Sequence, residues 1–262
     1  VANNGTLVYL PSRSAQKRLV WRDRKGTIAP IELNPRRYSL PVLSPDGRRF
    51  IVAVYEGSTR DLWIGNVERE PLNRLTFDND SWSGIWTPDG KRVFYGSGHG
   101  GRYNIYWTPA DGSGKVERLT DSPNPQKPTS WSPKGNILLY NDIDPSNKCD
   151  IWQLFIDSKE ARPLIRTSYN EANAAFSADG KWIAYISDES GRTEVYVQAY
   201  PGPGPKMQIS IDGGTALCWN RNGRELFYQN AKSIIAVPLL DGQDLRICLL
   251  YTSPSPRDRT RS

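Results

Sequence analysis

Short apolar runs recur along the chain, and each follows a polar turn. They occupy residues 50–54, 93–95, 137–140, 182–186 and 226–228. The runs are rich in β-branched and aromatic residues and are bounded by turn formers, which is the pattern of β-strands. A second kind of run begins some fourteen residues after most turns, with a polar residue, an aliphatic and an aromatic, as in Asp61-Leu62-Trp63. The pattern predicts an all-β chain.

The turns share one signature, first seen complete in Leu43-Ser44-Pro45-Asp46-Gly47. Pro presets φ for the first corner, Asp bonds the nearby backbone, and Gly accepts a positive φ. The turn glycines are residues 5, 47, 90, 135, 180 and 223, so the steps are 42, 43, 45, 45 and 43 residues. A fixed period of this size is typical of a radial array of four-stranded blades.

We therefore predict an all-β, six-bladed β-propeller of four-stranded antiparallel blades that fills residues 1–247. An ordinary β-sandwich with chance similarity between its turns is the alternative, and the near-constant spacing argues against it. The chain opens inside a repeat without a Met, so we expect part of a longer protein, truncated at both ends. A ring cut in this way loses closing strand pairs, and we expect it to close poorly.

Residues 248–262 break the repeat pattern. From Cys248 onward the string Cys-Leu-Leu-Tyr-Thr-Ser-Pro-Ser-Pro-Arg-Asp resembles the translated read-through of a transposase-type sequencing adaptor. A disordered basic tail is the alternative. We predict that these residues are a non-native tail, and that the outer strand of the last blade is lost or replaced.

Composition excludes several classes of function. The formal net charge is +6, but Lys and Arg are scattered among Asp and Glu without a basic run, so we expect no nucleic-acid partner. No run of about eighteen apolar residues occurs, so we expect no membrane segment. The three cysteines, at positions 149, 218 and 248, lack metal-ligand spacing, and we expect neither a metal nor a cofactor. We expect a monomer.

Candidate catalytic groups are few, and we expect no enzymatic activity. Ser97 and His99 lie too close together on a glycine-rich loop to act as nucleophile and base. An acidic group could hold Ca²⁺, but it lacks the glycine and the terminal glutamate of a calcium loop. That group comprises Asp142, Asp144, Asn147 and Asp150, and a smaller one comprises Asp78, Asn79 and Asp80. We interpret both as solvated loops.

Binding is the better interpretation. In a propeller, the connections between blades and the loops between second and third strands lie on one face. That face would gather the residues 36–38, 78, 80, 82, 124, 126, 127 and 169–171, with Arg60, Arg102, Lys148, Glu189 and Arg192 on its rim. Mixed charge and aromatic residues on rigidly held loops suit recognition of a protein, a peptide or a small ligand. The candidate binding residues are Trp82, Tyr169, Asn170, Glu171, Arg102 and Arg192.

The repeat as a whole resembles the TolB-like six-bladed β-propeller. The resemblance rests on the Ser-Pro-Asp-Gly turn at residues 44–47, the Asp150-Ile151-Trp152 third strand and the Arg118-Leu119-Thr120 fourth strand. It covers residues 1 to about 247. It implies the fold more specifically than it implies a function.

A narrower resemblance links the chain to the C-terminal propeller of bacterial transmembrane serine/threonine protein kinases. It rests on residues 19–24, 59–63, 187–198, 213–215 and 225–228. It implies an extracytoplasmic sensor or scaffold whose kinase domain lies elsewhere, since no kinase motif is present in this chain. An accessory propeller of a serine peptidase, or a free-standing TolB-like periplasmic binding protein, remains the alternative.

Overall fold

A computed structural model describes residues 7–9, 16–68, 71–144, 148–231, 233–238 and 250–254 of the chain. All its regular elements in these ranges are β-strands. In this part of the chain, no helix is long and apolar enough to cross a membrane.

Five four-stranded antiparallel sheets follow one another along the chain, each in simple sequential order. Blade I contains β4 (Arg37–Leu43), β5 (Arg49–Glu56), β6 (Thr59–Asn66) and β7 (Asn73–Arg74). Blade II contains β8 (Ser81–Trp86), β9 (Arg92–Ser97), β10 (Asn104–Pro109) and β11 (Glu117–Arg118). Blade III contains β12 (Gln126–Trp131), β13 (Ile137–Asp144), β14 (Lys148–Phe155) and β15 (Glu160–Ile165). Blade IV contains β16 (Glu171–Phe176), β17 (Trp182–Ser187), β18 (Glu194–Ala199) and β19 (Lys206–Gln208). Blade V contains β20 (Leu217–Trp219), β21 (Glu225–Gln229), β22 (Ser233–Pro238) and β23 (Leu250–Pro254).

A smaller sheet precedes the five blades. It has three strands in the described part of the chain, β1 (Leu7–Tyr9), β2 (Val20–Arg22) and β3 (Ile28–Pro30). The propeller of four-stranded antiparallel blades is confirmed, whereas the count of six such blades is wrong, since the described part of the chain contains five. The remnant turn at Gly5, on which the first repeat was predicted, lies outside the described residues.

The strand β23 lies in the segment predicted to be a non-native tail. Residues 250–254 pair antiparallel with β22 and occupy the position of the fourth strand of blade V. The backbone of the tail therefore supplies the strand that we expected to be lost or replaced. Whether these residues belong to the natural protein stays a prediction from the sequence.

Hydrophobic clusters lie between neighbouring sheets. One cluster joins the three-stranded sheet to blade I through Leu19, Ile31, Phe50 and Val52. Four more fill the successive junctions from blade I to blade V. Each sheet thus buries its faces against its neighbours, which explains why apolar residues occupy both faces of the central strands.

The first strands of the blades lie innermost and contact one another around the ring. In blades I to IV this strand has a bulge where the register shifts, as between Trp82 and Ile85. The bulge releases backbone and side-chain groups for contacts between blades. For example, Ser83 Oγ donates to the Pro128 carbonyl at 3.0 Å, and the Phe176 amide donates to Ser130 Oγ at 3.0 Å.

The repeated turn is held by a side-chain network that the sequence signature encodes. In blade II the Asp89 carboxylate accepts a bond from the Lys91 amide at 3.0 Å and one from the Thr87 hydroxyl. Thr87 Oγ1 in turn accepts from the Arg92 amide at 3.0 Å. Blades I and IV repeat this arrangement with Ser-x-Asp. In blade III Lys134 takes the place of the aspartate, so this turn lacks the carboxylate.

Blade V meets blade I through one arginine. The Arg221 guanidinium donates to the backbone carbonyls of Pro45 at 2.6 Å, Leu43 at 3.4 Å and Ser44. A second contact joins blade V to the three-stranded sheet, where Arg24 pairs with Glu225 and lies 5.7 Å from the centre of the Phe227 ring. In the described part of the chain the ring is thus closed at this seam by arginine side chains rather than by paired strands.

We expect Arg221→Gln to destabilise the ring. The substitution removes charge-assisted bonds to carbonyls and should lower the free energy of unfolding by about 1–3 kcal/mol. The melting temperature should then fall by roughly 2–4 °C for each kcal/mol lost. Thermal unfolding followed by circular dichroism measures this, with Arg224→Gln, an exposed arginine on the same turn, as the matched control. Equal melting temperatures for the two variants would show that Arg221 does not close the ring.

Candidate functional site

The strand order gives the propeller two distinct faces. The loop face carries the connections between blades and the loops between second and third strands. The turn face carries the turns between first and second strands and the connections from third to fourth strands. The six candidate binding residues all belong to segments that end at the loop face.

A cluster of aromatic and charged side chains lies on the loop face at blades I to IV. We call it the loop-face cluster, and its members are Arg60, Asp80, Trp82, Tyr103, Lys127 and Asn173. The Arg60 guanidinium carbon lies 4.8 Å from the Trp82 ring centre and 5.7 Å from that of Tyr103. The rings of Trp82 and Tyr103 pack edge to face, with their centres 6.1 Å apart. Arg60 Nε also donates to Asp80 Oδ1 at 3.0 Å, so this cation is neutralised within the cluster.

Lys127 supplies a second cation beside Trp82. Its Nζ lies 5.8 Å from the indole centre and donates to Asn173 Oδ1 at 3.1 Å. No carboxylate of the described residues forms an ion pair with it. Burial lowers the pKa of Lys127 below the usual lysine value, as expected for a cation without a counter-ion. The ammonium group therefore retains donors for a ligand.

Trp82 carries a further unused donor. Its Nε1 is buried and has no hydrogen-bond partner among the described residues. Gly96 makes room for the indole, since a Cβ on that glycine would lie 2.8 Å from Trp82 Nε1. The unpaired indole N–H lies beside the Lys127 ammonium group, which lacks a carboxylate partner, and such groups recognise an acceptor or a carboxylate.

The structure brings one of the six candidate residues, Trp82, into this cluster. Arg102 and Tyr169 are exposed on loops. Asn170 is exposed but links blades III and IV. Its backbone N–H donates to Asp188 Oδ1 at 2.9 Å, and its side-chain Oδ1 accepts from the backbone N–H of Cys149 at 3.0 Å. Arg192 binds the Glu194 carboxylate at 2.6 Å.

Glu171 differs from a surface contact residue because it is 1 % exposed. It begins an innermost strand, as Ser81 and Gln126 do, and those residues are also buried. Tyr103 and Asn173 are the members of the cluster that the sequence did not single out. The signal for Tyr103 was an aromatic residue directly before a third strand.

In blades I, II and IV the polar residue at the head of the third-strand motif caps the connection to the next blade. Asp61 accepts from Thr76 Oγ1 at 2.9 Å and pairs with Arg74 at 2.6 Å. Asn104 and Glu194 accept bonds in the same way from Thr120 and Ser210. This explains why the polar head of the third-strand motif recurs in the sequence.

Blade III departs from this arrangement, because Arg166 stands where the other blades have a hydroxyl. Arg166 pairs with Asp150 Oδ2 at 3.2 Å, but Asp150 Oδ1 has no partner among the described residues. Glu171 Oε1 accepts from Thr167, while its Oε2 is also unpaired. Burial raises the pKa of both carboxyls. The nearby carboxyls of Asp142 and Asp144 raise the pKa of Asp150 further, and Asp150 raises that of Glu171.

The suspected catalytic and metal groups serve structural roles. Ser97 is fully buried, and its hydroxyl donates to Asp78 and accepts from the His99 backbone amide at 3.0 Å. Asp142 accepts bonds from the amides of Asn124 at 2.7 Å and Gln126 at 2.9 Å. No group of three or more His, Cys, Asp or Glu side chains in the described part of the chain is placed to hold a metal ion. Asn147 lies outside the described residues.

Five four-stranded antiparallel blades, whose first strands contact those of the neighbouring blades, define a β-propeller. The sequence profile described as the TolB beta propeller domain matches residues 24–171, more than half of the chain. The chain belongs to this family.

Its relatives include the Tol-Pal system protein TolB of Anaeromyxobacter dehalogenans strain 2CP-C, which is 29% identical over 114 residues. That match covers 43% of this chain and 26% of the relative, so the aligned part spans about a quarter of the relative's length.

Solved structures show the same fold. The crystal structure of TolB from Acinetobacter baumannii superposes with a TM-score of 0.76 at 20% identity, over 96% of this chain and 64% of that one. The tricorn protease superposes with a TM-score of 0.69 at 16% identity, over 93% of this chain and 26% of that one. At these identities the likeness shows the fold alone. It does not separate a binding protein from a peptidase accessory domain.

We expect the buried acids at the junction of blades III and IV to make stability depend on pH. Asp150 and Glu171 hold a proton to higher pH in the folded chain than in the unfolded chain. The free energy of unfolding should therefore fall as pH rises from the ordinary carboxyl range through the raised pKa values. Denaturant unfolding at a series of pH values should show a shallower fall for Glu171→Gln than for the natural chain. The exposed Glu68→Gln is the control, and identical slopes in all three proteins would refute the assignment.

Proposed function

We propose that this chain is a noncatalytic binding propeller that holds a protein segment at the loop-face cluster. The observation that carries the proposal is the unpaired indole N–H of Trp82 beside the Lys127 ammonium group, which has a hydrogen bond to Asn173 but no ion pair among the described residues. A partner would offer a carboxylate or backbone carbonyls to these donors and an apolar side chain to the aromatic rings.

The rigidity of the site supports this function. Trp82 and Lys127 belong to innermost strands that contact each other across the junction of blades II and III. A site on such strands is preorganised, so little conformational entropy is lost when a partner binds. Aromatic and cationic residues in a half-buried setting are also the residue types that dominate binding energy at protein interfaces.

The family favours a protein partner. The relative from Anaeromyxobacter dehalogenans is named for the Tol-Pal system, which makes Pal a defined first partner to test. Both resemblances imply action outside the cytoplasm. We therefore place the chain in the periplasm or at the cell surface as part of this proposal.

The wider protein remains open to two further hypotheses. The motif at residues 187–198 supports a sensor or scaffold propeller of a transmembrane serine/threonine kinase. The fold of the tricorn protease supports a propeller attached to a peptidase. A longer read of the gene separates them. A kinase domain and one membrane helix upstream would support the kinase hypothesis. A hydrolase domain downstream would support the peptidase hypothesis. If the gene encodes neither domain, the chain is a free-standing binding protein.

We expect Lys127→Gln to weaken partner binding at least about tenfold, the equivalent of ~1.4 kcal/mol. Binding of purified Pal from Anaeromyxobacter dehalogenans is measured first by calorimetry. If Pal does not bind, peptides selected from a random display library on the natural chain take its place. Trp82→Phe, which keeps an aromatic ring but removes the N–H, should also weaken binding.

The control is Lys115→Gln, which removes the same charge from an exposed lysine on the turn face. Thermal unfolding confirms that each variant is folded. The proposal fails if every selected partner binds the Lys127 and Lys115 variants equally well.

A further inference from the structure

The turn face has a cleft of about 680 Å³ between blades II and III. Its floor and walls come from Trp107, Trp131 and Ile156, and from prolines on the two repeated turns, Pro88 and Pro133. Lys91, Arg92 and Lys134 line the same cleft. It lies on the face opposite to the loop-face cluster, so nothing proposed above assigns a role to it.

Comparison with the preceding junction shows how the cleft arises. Between blades I and II, Arg49 reaches across and lies 4.7 Å from the Trp86 ring centre, and its Nη2 donates to the Gly90 carbonyl at 2.7 Å. Arg92 occupies the same position in the next repeat. It lies instead 4.0 Å from the ring centre of Trp107, on its own blade. Arg49 therefore fills the junction between blades I and II, whereas Arg92 leaves the junction between blades II and III open.

The turns themselves also separate at this junction. A Cβ on Gly90 would lie 3.4 Å from Arg49 and 3.7 Å from Pro45, both in the preceding blade. A Cβ on the turn glycine of blade I, IV or V would likewise lie within 4 Å of an atom in the turn of the blade that precedes it around the ring. Gly135 of blade III has nothing within that distance. Trp107 contributes to the difference, since the corresponding residues in blades I, III and IV are Ile64, Gln153 and Val197.

Trp131, which lines the cleft, has an unpaired indole N–H. In blades II and V the turn tryptophan donates its indole N–H to a carbonyl of the preceding blade, from Trp86 to Val42 at 3.2 Å and from Trp219 to Ala175 at 2.8 Å. Trp131 instead stacks on Phe94, with ring centres 4.8 Å apart. Its Nε1 is buried and has no partner among the described residues. A buried donor without a partner is costly unless a ligand or water accepts from it.

The charges of the cleft favour an anion. None of Lys91, Arg92 and Lys134 forms an ion pair within the described ranges. The two acidic residues of the lining are already engaged, Asp89 by its own turn and Asp157 by Asn136. Lys134 moreover replaces the aspartate that the turns of blades I, II and IV carry. The lining thus has three cationic side chains against two carboxylates, and none of the three cations is held in an ion pair within the described ranges.

We propose that this cleft binds a small organic acid whose carboxylate meets Arg92 and Lys134 and whose flat apolar body lies against Trp107 and Trp131. A guanidinium stacked on an aromatic ring still presents its N–H groups to a carboxylate in a bidentate geometry. Flat rings pack well against tryptophan. The cleft volume falls within the range of roughly 300–1,000 Å³ that is usual for small-molecule sites.

Indole-3-acetate is a suitable probe, with indole-3-acetamide as its neutral counterpart of the same shape. Nitrogen-15 spectra of the labelled chain resolve indole N–H signals, and Trp131→Phe identifies the signal of Trp131. The acid should shift that signal in a saturable way. The amide should bind at least about tenfold more weakly, because it lacks the charge that the three cations recognise.

Two substitutions and one control complete the test. Arg92→Gln should weaken binding of the acid at least about fivefold, and so should Lys134→Asp, which restores the aspartate of the other turns and therefore suits the fold. Arg48→Gln, which removes an exposed arginine from the turn of blade I, should leave binding unchanged.

Equal binding of acid and amide, no shift at Trp131, or unchanged binding in Arg92→Gln would overturn the proposal. Tighter binding of a glutamate-rich octapeptide than of the acid would also overturn it, by assigning the cleft to a protein segment. None of these results depends on the loop-face cluster, so this site and the proposed function stand or fall separately.

Discussion

Each sheet of this protein can bury its two faces only against its neighbours, and the rest of the structure depends on that constraint. The hydrophobic clusters lie between blades rather than within a single central core. A blade therefore has no independent core, and its stability is shared with the sheets on either side. The strands that carry the loops are packed at both junctions for the same reason.

The sequence predicted the repeat well because the repeat is encoded locally. The turn needs a hydroxyl, a carboxylate and a glycine at fixed spacing, and the third strand needs a polar head, so both leave a visible trace. The number of complete blades was not predicted correctly. The first sheet has apolar strands of the expected kind, but a period alone does not show whether a fourth strand pairs with them.

The candidate site was predicted only in part, for a physical reason. Topology placed the correct segments on the loop face, yet exposure depends on which side of each strand a residue occupies. Glu171 was expected at the surface, although alignment with Ser81 and Gln126 would have indicated a buried position. The orientation of Arg92 could not be predicted, because the same residue in the same repeat position points elsewhere in blade I. The two arginines differ in the aromatic rings that surround them, and this is a property of the packed junction rather than of the repeat.

Departures from the repeat concentrate in blade III. Arg166 replaces a capping hydroxyl and leaves Asp150 partly unsatisfied, and Lys134 replaces the turn carboxylate. These two changes lie on opposite faces of one blade. Each exchanges a local structural bond for an unpaired or newly charged group, as natural proteins often do where function requires it.

The seam between blades V and I has a consequence for how such rings can change in size. Arg221 donates to carbonyl oxygens of the backbone, and every residue type supplies a carbonyl. The Arg221 contact therefore depends on the backbone conformation of the turn and not on its side chains. Any blade with the same turn could take the place of blade I at the Arg221 contact, so a gene that gains or loses a repeat would need no matching change there. The Arg24–Glu225 pair, by contrast, depends on both side chains.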